Sequence, residues 1–309
     1  MSKRPTGGGD VTSATNEAGA AEGARVTPFG PGVAADPAAQ AAGENFPVAL
    51  SALPRRHRRH LMAVYRFARL VDDVGDEGTG DRSERVRQLD TLDEDVTRIA
   101  DTDRAPQHPV IRDLVPTVRE CAIPLQPFRD LIQANRQDQA VTRYRTFEDL
   151  AGYCELSANP VGRIVLHIFG SATPDRLRRS DQVCTALQLA EHWQDVAEDF
   201  HRGRIYLPAE DLERFGCGER DLAAAAAPPP LRALMAFETE RAGRLLDEGA
   251  PLVGTLRGYA RLAVAGYVAG GRAALAAIAA AGHDVLACTP RPRRSRVVSG
   301  LARAYLTGR

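Results

Sequence analysis

From Glu44 to the C-terminus apolar residues recur at intervals of three and four, helix-start chemistry stands at each break, and the period-two alternation of half-buried strands is nearly missing. A chain patterned in this way folds by packing helices on helices. Pro54 opens a helix reaching about Gly78, and Asp81 can cap the next, which carries Val86, Leu89 and Leu92. Thr146-Phe147-Glu148-Asp149 reads as a capping box. Thr173-Pro174 sets a cap and a first-turn proline before a long helix running to about His201. Asn159-Pro160 should interrupt or kink a helix that begins near Phe147, because the residue before proline avoids the α region. Pro228, Pro229 and Pro230 precede a helix to about Gly249. The expected fold is all-α, a single domain over residues 41–309 with roughly ten helices.

Residues 1–40 are mostly Gly, Ala, Thr, Pro and Glu, with almost no large apolar side chain. Such a stretch cannot offset the entropy of ordering and is expected to be a disordered tail. It shows no apolar run of the kind that targets a chain for export. The remaining length, within 309 residues that are 44% hydrophobic, suffices for one large core. Lys plus Arg and Asp plus Glu are both 40, so no global field draws the chain to nucleic acid, and none is expected as a partner. Cys121, Cys154, Cys184, Cys217 and Cys288 are odd in number and dispersed, which suits reduced thiols in the cytoplasm. The stretch AVAGYVAGGRAALAAIAAAG, from Ala263 to Gly282, approaches spanning length. It is interrupted by Gly270, Gly271 and Arg272, and so reads as a buried core helix.

RFARLVDDVGDE, from Arg66 to Glu77, puts four carboxylates within six residues directly after an apolar helical run. Asp72 and Asp76 are four apart and share a helix face with Arg69 and Tyr65. QLAEHWQDVAEDFHRGRIYLP, from Gln188 to Pro208, repeats the pattern with Asp195 and Asp199, extended backward by Glu191 and Gln188. Either pair alone reads more readily as a solvated acidic face than as a site. Like charges at this spacing repel by a few tenths of a kcal/mol, however, and both ladders sit among Leu70, Val71, Val74, Leu189, Trp193 and Val196. A hard divalent cation answers that need: Mg²⁺ takes one or two carboxylates, keeps waters and completes its shell with phosphate oxygens. Two facing ladders could hold such ions at a diphosphate and promote its departure, with an apolar cavity sheltering the carbocation.

ENFPVALSALPRRHRRHLMAVYRFARLVDDVGDE, YCELSANPVGRIVLHIFG and LQLAEHWQDVAEDFHRGRIYLP resemble the squalene and phytoene synthase family in order and spacing, over about Glu44 to Thr307. The resemblance implies an isoprenoid-synthase-type helical bundle with a central cavity and two or three Mg²⁺ ions. Asp72, Asp76, Asp195 and Asp199, joined by Glu191, would be the metal ligands and catalytic carboxylates. Arg69 would bind diphosphate, with Tyr65, Tyr153 and Tyr267 at aromatic cavity positions, Gln188 at the substrate and Phe46 on an N-terminal flap. Most members that join two prenyl diphosphates carry Asn four residues before the second aspartate pair and Arg just before it. Here these positions are Glu191 and Gln194.

The combination ENFPVA, NPVGR and HWQDV instead resembles the hydroxysqualene synthase branch of bacterial hopanoid biosynthesis. That implies conversion of presqualene diphosphate and water to hydroxysqualene and diphosphate, with Gln194 placed to position the water. No NADPH is expected, and no G-x-G-x-x-G strand-to-helix motif is visible. A presqualene diphosphate synthase before it and a hydroxysqualene reductase after it would be functional links. The alternatives are a head-to-head condensing prenyltransferase and a noncatalytic helical assembly protein, which would be expected to lose the ladders.

Arg204 and Tyr206 read either as a lid contact to diphosphate or as a helix end capped by left-handed Gly203. Arg291, Arg293, Arg294 and Arg296 precede a last amphipathic helix. They read as a solvated charge run, a closure over diphosphate, or a peripheral contact with the inner face of the cell membrane. Trp193 is expected in the core and His167 and His192 as packed or surface histidines; Asn135, Arg136 and Asp138 carry no assigned role.

Overall fold

A computed structural model of the protein describes residues 53–76, 80–101 and 103–309. The expectations for the 1–40 tail and for Phe46 lie outside these residues. Fourteen helices and no strand occur among the described residues. In chain order they are α1 (Arg55–Asp76), α2 (Arg82–Thr97), α3 (Pro109–Glu120), α4 (Gln126–Asp138), α5 (Phe147–Ser157), α6 (Asn159–Ile168) and α7 (Pro174–Gln194). There follow α8 (Val196–His201), α9 (Ala209–Arg214), α10 (Glu219–Leu222), α11 (Pro229–Gly249), α12 (Leu252–Thr255), α13 (Gly258–Ala280) and α14 (Arg294–Thr307).

The helix starts follow local chemistry. Asp81 accepts the Glu84 amide at 2.9 Å, and Thr146 and Asp149 exchange hydrogen bonds at 3.1 and 3.0 Å, a reciprocal box worth about 1 kcal/mol per cap. Thr173 accepts from Arg176, ahead of Pro174 in the first turn. Asn159-Pro160 marks a break as expected, but one residue earlier than the proline rule places it: α5 stops at Ser157, Ala158 sits between the helices at φ −115° and ψ −48°, and Asn159 is already helical at the start of α6, with proline in its first turn.

One long helix is shorter than its pattern. The run from Thr173 towards His201 breaks at Asp195 (φ −105°, ψ 16°), which ends α7 and begins α8. Neither glycine nor proline marks that break. The Asp199 amide still reaches the Asp195 carbonyl at 2.8 Å, so the chain bends without losing its next turn.

α7 runs through the centre, packed by α5, α6, α11 and α13, while α1 meets α2, α3, α4 and α6. Trp193 is fully buried in the core. Phe67 and Phe128 meet edge to face at 5.3 Å between α1 and α4. α13 is long and apolar enough to cross a membrane, yet 56% of its most apolar window is buried within the bundle. It is the core helix its composition suggested. All five cysteines are free.

Candidate active site

The C-terminal end of α1 supplies one wall of an acidic cleft of about 400 Å³ lined by Arg69, Asp72, Asp73, Asp76, Arg202 and Arg204. Arg69 turns to Asp73 at 2.6 Å. Gly75 lets α4 come close: a Cβ there would meet the Asn135 side-chain oxygen at 2.1 Å. The approach brings Asn135 Nδ2 to Asp72 at 3.1 Å and Gln139 Nε2 to the Gly75 carbonyl at 2.9 Å. Asp72 remains open to the cleft but is walled in by protein on most sides, which pushes its pKa up to about 6; the Asn135 hydrogen bond opposes the rise and Asp76 adds to it.

A chain reversal after the second acidic ladder brings Arg202 and Arg204 into the cleft, whereas Asp195 and Asp199 do not line it; Asp199 lies beside His192, Arg204 and Tyr206. After α8 the Arg204 amide bonds the Asp199 carbonyl at 2.8 Å and the Gly203 amide bonds that of Phe200 at 2.9 Å, with Gly203 at φ +81°. This is a Schellman ending, and the left-handed glycine makes it possible. The segment is held further by Ile205, whose amide donates to the Thr142 carbonyl at 3.0 Å. The Arg204 guanidinium then reaches Asp76 at 2.9 Å. The helix-end reading holds, and the cap aims the arginine across the cleft at Asp76.

Asp199 is pushed up to about 7 by burial and then by Asp195, against the pull of Arg204 and Arg202. Asp195 is raised by burial and Glu198, and lowered by Arg202 and Arg291. His192 stacks on Tyr206 at 3.7 Å and lies 3.9 Å from Asp199, but burial depresses it to about 3 and keeps it neutral. It does not balance the aspartate charge.

Beside the acidic groups lies an apolar cavity of about 240 Å³ between α5, α6, α7, α12 and α13. Gln188, Glu191 and Gln194 enter it from α7 and Tyr267 from α13; Glu191 is its only charged lining residue among the described residues. A charged cleft walled by α1 and the turn after α8 is thus linked to a largely hydrocarbon chamber, walled in part by α7, through the chain from Glu191 to Arg204. Such a pair of compartments suits a substrate with an anionic head and a long apolar body.

Residues 39–301 match the family model for squalene/phytoene synthase. The chain belongs to the squalene/phytoene synthase family. Members of that family are enzymes acting on prenyl diphosphates. The chain is 32% identical over 217 residues to the hydroxysqualene synthase of Rhodopseudomonas palustris, covering 70% of this chain and 72% of the relative. It is 33% identical over 215 residues to the phytoene synthase of Mycobacterium tuberculosis, covering 69% and 70%. The crystal structure of squalene synthase HpnC from Alicyclobacillus acidocaldarius superposes with a TM-score of 0.73 at 42% identity, covering 79% of this chain and 91% of that one.

Within this squalene/phytoene synthase bundle, the expected site residues divide between compartments. Arg69, Asp72, Asp76 and Arg204 share the cleft, and Gln188, Glu191, Gln194 and Tyr267 line the cavity. The stripe from Gln188 to Asp199 is split, because the break at Asp195 changes the helix direction before the second aspartate. Two tyrosines differ from the expectation. Tyr153, expected at the cavity, is buried in an aromatic cluster with Tyr144 and Tyr206 and donates its hydroxyl to Asp138 at 2.7 Å. On this part of the chain the cavity lining begins only at Ser157, one turn beyond Tyr153 on the same face of α5. Tyr65 is half-buried on α1 and is not in the cavity lining either.

Several neighbours of the site were not singled out by spacing. Asp73 joins the cleft through Arg69, and Asn135 holds Asp72. Asp138 is pushed up to about 6 by burial, faces the charges of Arg204, Asp76 and Asp72, and has one carboxyl oxygen buried without a hydrogen bond. Arg136, by contrast, is structural, bound to Asp90 at 2.7 Å and Asp93 at 3.1 Å. The Asn135 and Asp138 pairing on one face of α4, three residues apart, was the available signal.

Proposed function

We propose that this member of the family converts presqualene diphosphate and water to hydroxysqualene and diphosphate. The observation that carries the reading is Gln194: a neutral amide stands in the cavity wall immediately before Asp195, where a cationic group would repel a nearby carbocation. Relatives named hydroxysqualene synthase, at 31–34% identity, support it.

In the reaction the carbon–oxygen bond to diphosphate breaks, and the electron pair leaves with the diphosphate. Arg204 and Arg69, which line the cleft, would receive that charge. The apolar cavity would hold the C30 body away from bulk water, and three of its few polar groups, Gln188, Glu191 and Gln194, lie together on α7 where a single water could be held. Addition of that water forms a new carbon–oxygen bond and releases one proton. No hydride is consumed, so the reaction requires no nicotinamide.

The donor set fits a hard cation. Asp72, Asp138 and Asp199 all carry raised pKa values from burial, and Asp138 has an oxygen without a hydrogen bond. Among the described residues no three His, Cys, Asp or Glu side chains converge as a metal cage. Mg²⁺ held by one or two carboxylates at a time, with water and phosphate oxygens completing its shell, needs no such cage. Asp72, Asp76, Asp195 and Asp199, with Glu191 alongside, would hold it. When bound, such ions would neutralise charge on the departing diphosphate.

Phytoene synthase relatives at 33% identity favour a second reading, head-to-head condensation of two prenyl diphosphates. The experiment is incubation of the purified protein and Mg²⁺ with presqualene diphosphate or with farnesyl diphosphate in oxygen-18 water. The proposed function yields a labelled C30 alcohol from presqualene diphosphate without reductant. Consumption of farnesyl diphosphate with presqualene diphosphate inert would establish the second reading.

A further inference from the structure

All the large apolar side chains that stand exposed among the described residues gather in one place: Tyr259 at the start of α13 (45% exposed), and Val298, Tyr305 and Leu306 on α14 (60, 38 and 79%). Along α14 the positions Val298, Ala302, Tyr305 and Leu306 follow a spacing of four, three and one, which is one helical stripe. The opposite stripe, with Gly300, Leu301 and Ala304, packs on the bundle; a Cβ at Gly300 would lie 3.2 Å from Ala269 of α13. Arg261 ties the two exposed parts together, its guanidinium 5.0 Å from the Tyr305 ring centre and bonded to the Tyr305 carbonyl.

The charge along the part of the chain that carries this stripe is almost all of one sign. Residues 249–309 contain nine arginines and a single acid, Asp284, although the whole chain carries equal numbers of acids and bases. Asp284 is buried and engaged by Arg232 at 2.6 Å and by the Ala227 amide at 2.9 Å, so it does not offset the surface. Arg257, Arg293, Arg294, Arg296, Arg303 and Arg309 are all exposed.

We infer that α14 and the start of α13 form a docking face for an anionic lipid bilayer. An exposed apolar stripe with an arginine rim matches the two properties of that surface, negative headgroups and the apolar region directly beneath them. A second copy of this chain would set one basic face against another. An acidic protein partner matches the rim but leaves no reason for four exposed apolar side chains in one patch. The inference is independent of the reaction proposed above, because binding is read without substrate.

The test is sedimentation of the full chain with vesicles of phosphatidylcholine alone and with about a third phosphatidylglycerol, at low and high salt. The structure predicts binding to the anionic vesicles only, weakened by salt, each arginine near the surface contributing on the order of fivefold in affinity. The double variant Val298→Glu with Leu306→Glu changes exposed positions outside the active site. It should lose at least about tenfold in vesicle binding while keeping its circular dichroism and its turnover of detergent-dispersed substrate. Failure to sediment with anionic vesicles, equal binding to neutral ones, or unaltered binding by the double variant would each overturn the inference. So would a wild-type dimer that ignores vesicles and becomes monomeric in the double variant, which would make this face a contact between copies.

Discussion

Gln194, at the end of α7, gives its side-chain amide hydrogen to the carbonyl of Pro290, 96 residues further on. The bond anchors the start of the basic segment at the cavity wall, and the next residue, Arg291, with Arg202, opposes the rise that burial and Glu198 give the Asp195 carboxyl. A neutral residue before the second aspartate pair thus comes with an arginine supplied from elsewhere in the chain. Gln194→Ala and Arg291→Ala are each expected to lower kcat/KM about tenfold or more, the scale of one lost charge-assisted contact. If the two act through the same tether, the double variant should be little worse than the poorer single one. Fully additive losses in a double-mutant cycle would separate their roles.

Arg204 joins α8 to α1 through Asp76, and its aim depends on Gly203. Arg204→Gln should reduce turnover by about two orders of magnitude while leaving the melting temperature nearly unchanged, because the pair is half-exposed and contributes little to stability. Gly203→Ala should do the converse first, costing about 1–2 kcal/mol of stability through the left-handed backbone. Chemical denaturation and steady-state kinetics on both variants distinguish aim from presence.

The carboxylates of the two ladders are expected to act through a cation. Asp72→Asn, Asp76→Asn, Asp195→Asn and Asp199→Asn should each lower turnover by about two orders of magnitude or more with an unchanged helical spectrum. Excess chelator should abolish wild-type activity and added Mg²⁺ restore it. Undiminished turnover in chelator would remove the cation from the mechanism.

Glu238 lies fully buried on α11 beside Asp211 and Arg241, which stacks on Phe147 and Phe237. Burial pushes its pKa up to about 8, with Asp211 and Glu210 adding and Arg241 opposing. The folded state therefore holds this proton more tightly than the unfolded chain. Its contribution to stability is fully present below the unfolded pKa near 4.5 and is lost as pH rises through about 8. Glu238→Gln should flatten that dependence, so the difference in melting temperature between variant and wild type should shift in the variant's favour from pH 5 to pH 9. A constant difference across that range would show that Glu238 titrates normally.

Helix starts were legible in the sequence because their determinants are local: Asp81, the Thr146 box, Thr173-Pro174 and Asn159-Pro160 act within a turn of themselves. The paired aspartates were legible for the same reason, since spacing by four places them on one face wherever the helix packs. Resemblance added the family and the bundle. The break at Asp195 was not legible, because it follows from the tertiary setting of α8 and the Gly203 reversal, with no glycine or proline at the break itself.

What the sequence by itself determined was an all-α chain with two acidic ladders and a cationic C-terminal segment, features that depend on periodicity, capping and composition. Only the tertiary structure decided that Asn135 holds Asp72, that Tyr153 turns to Asp138, that Arg204 bridges to Asp76 and that Gln194 tethers Pro290. These contacts join residues between 15 and 128 positions apart. Each depends on how closely two distant segments approach, as Gly75 permits between α1 and α4, and side-chain packing sets that distance in ways no local pattern encodes.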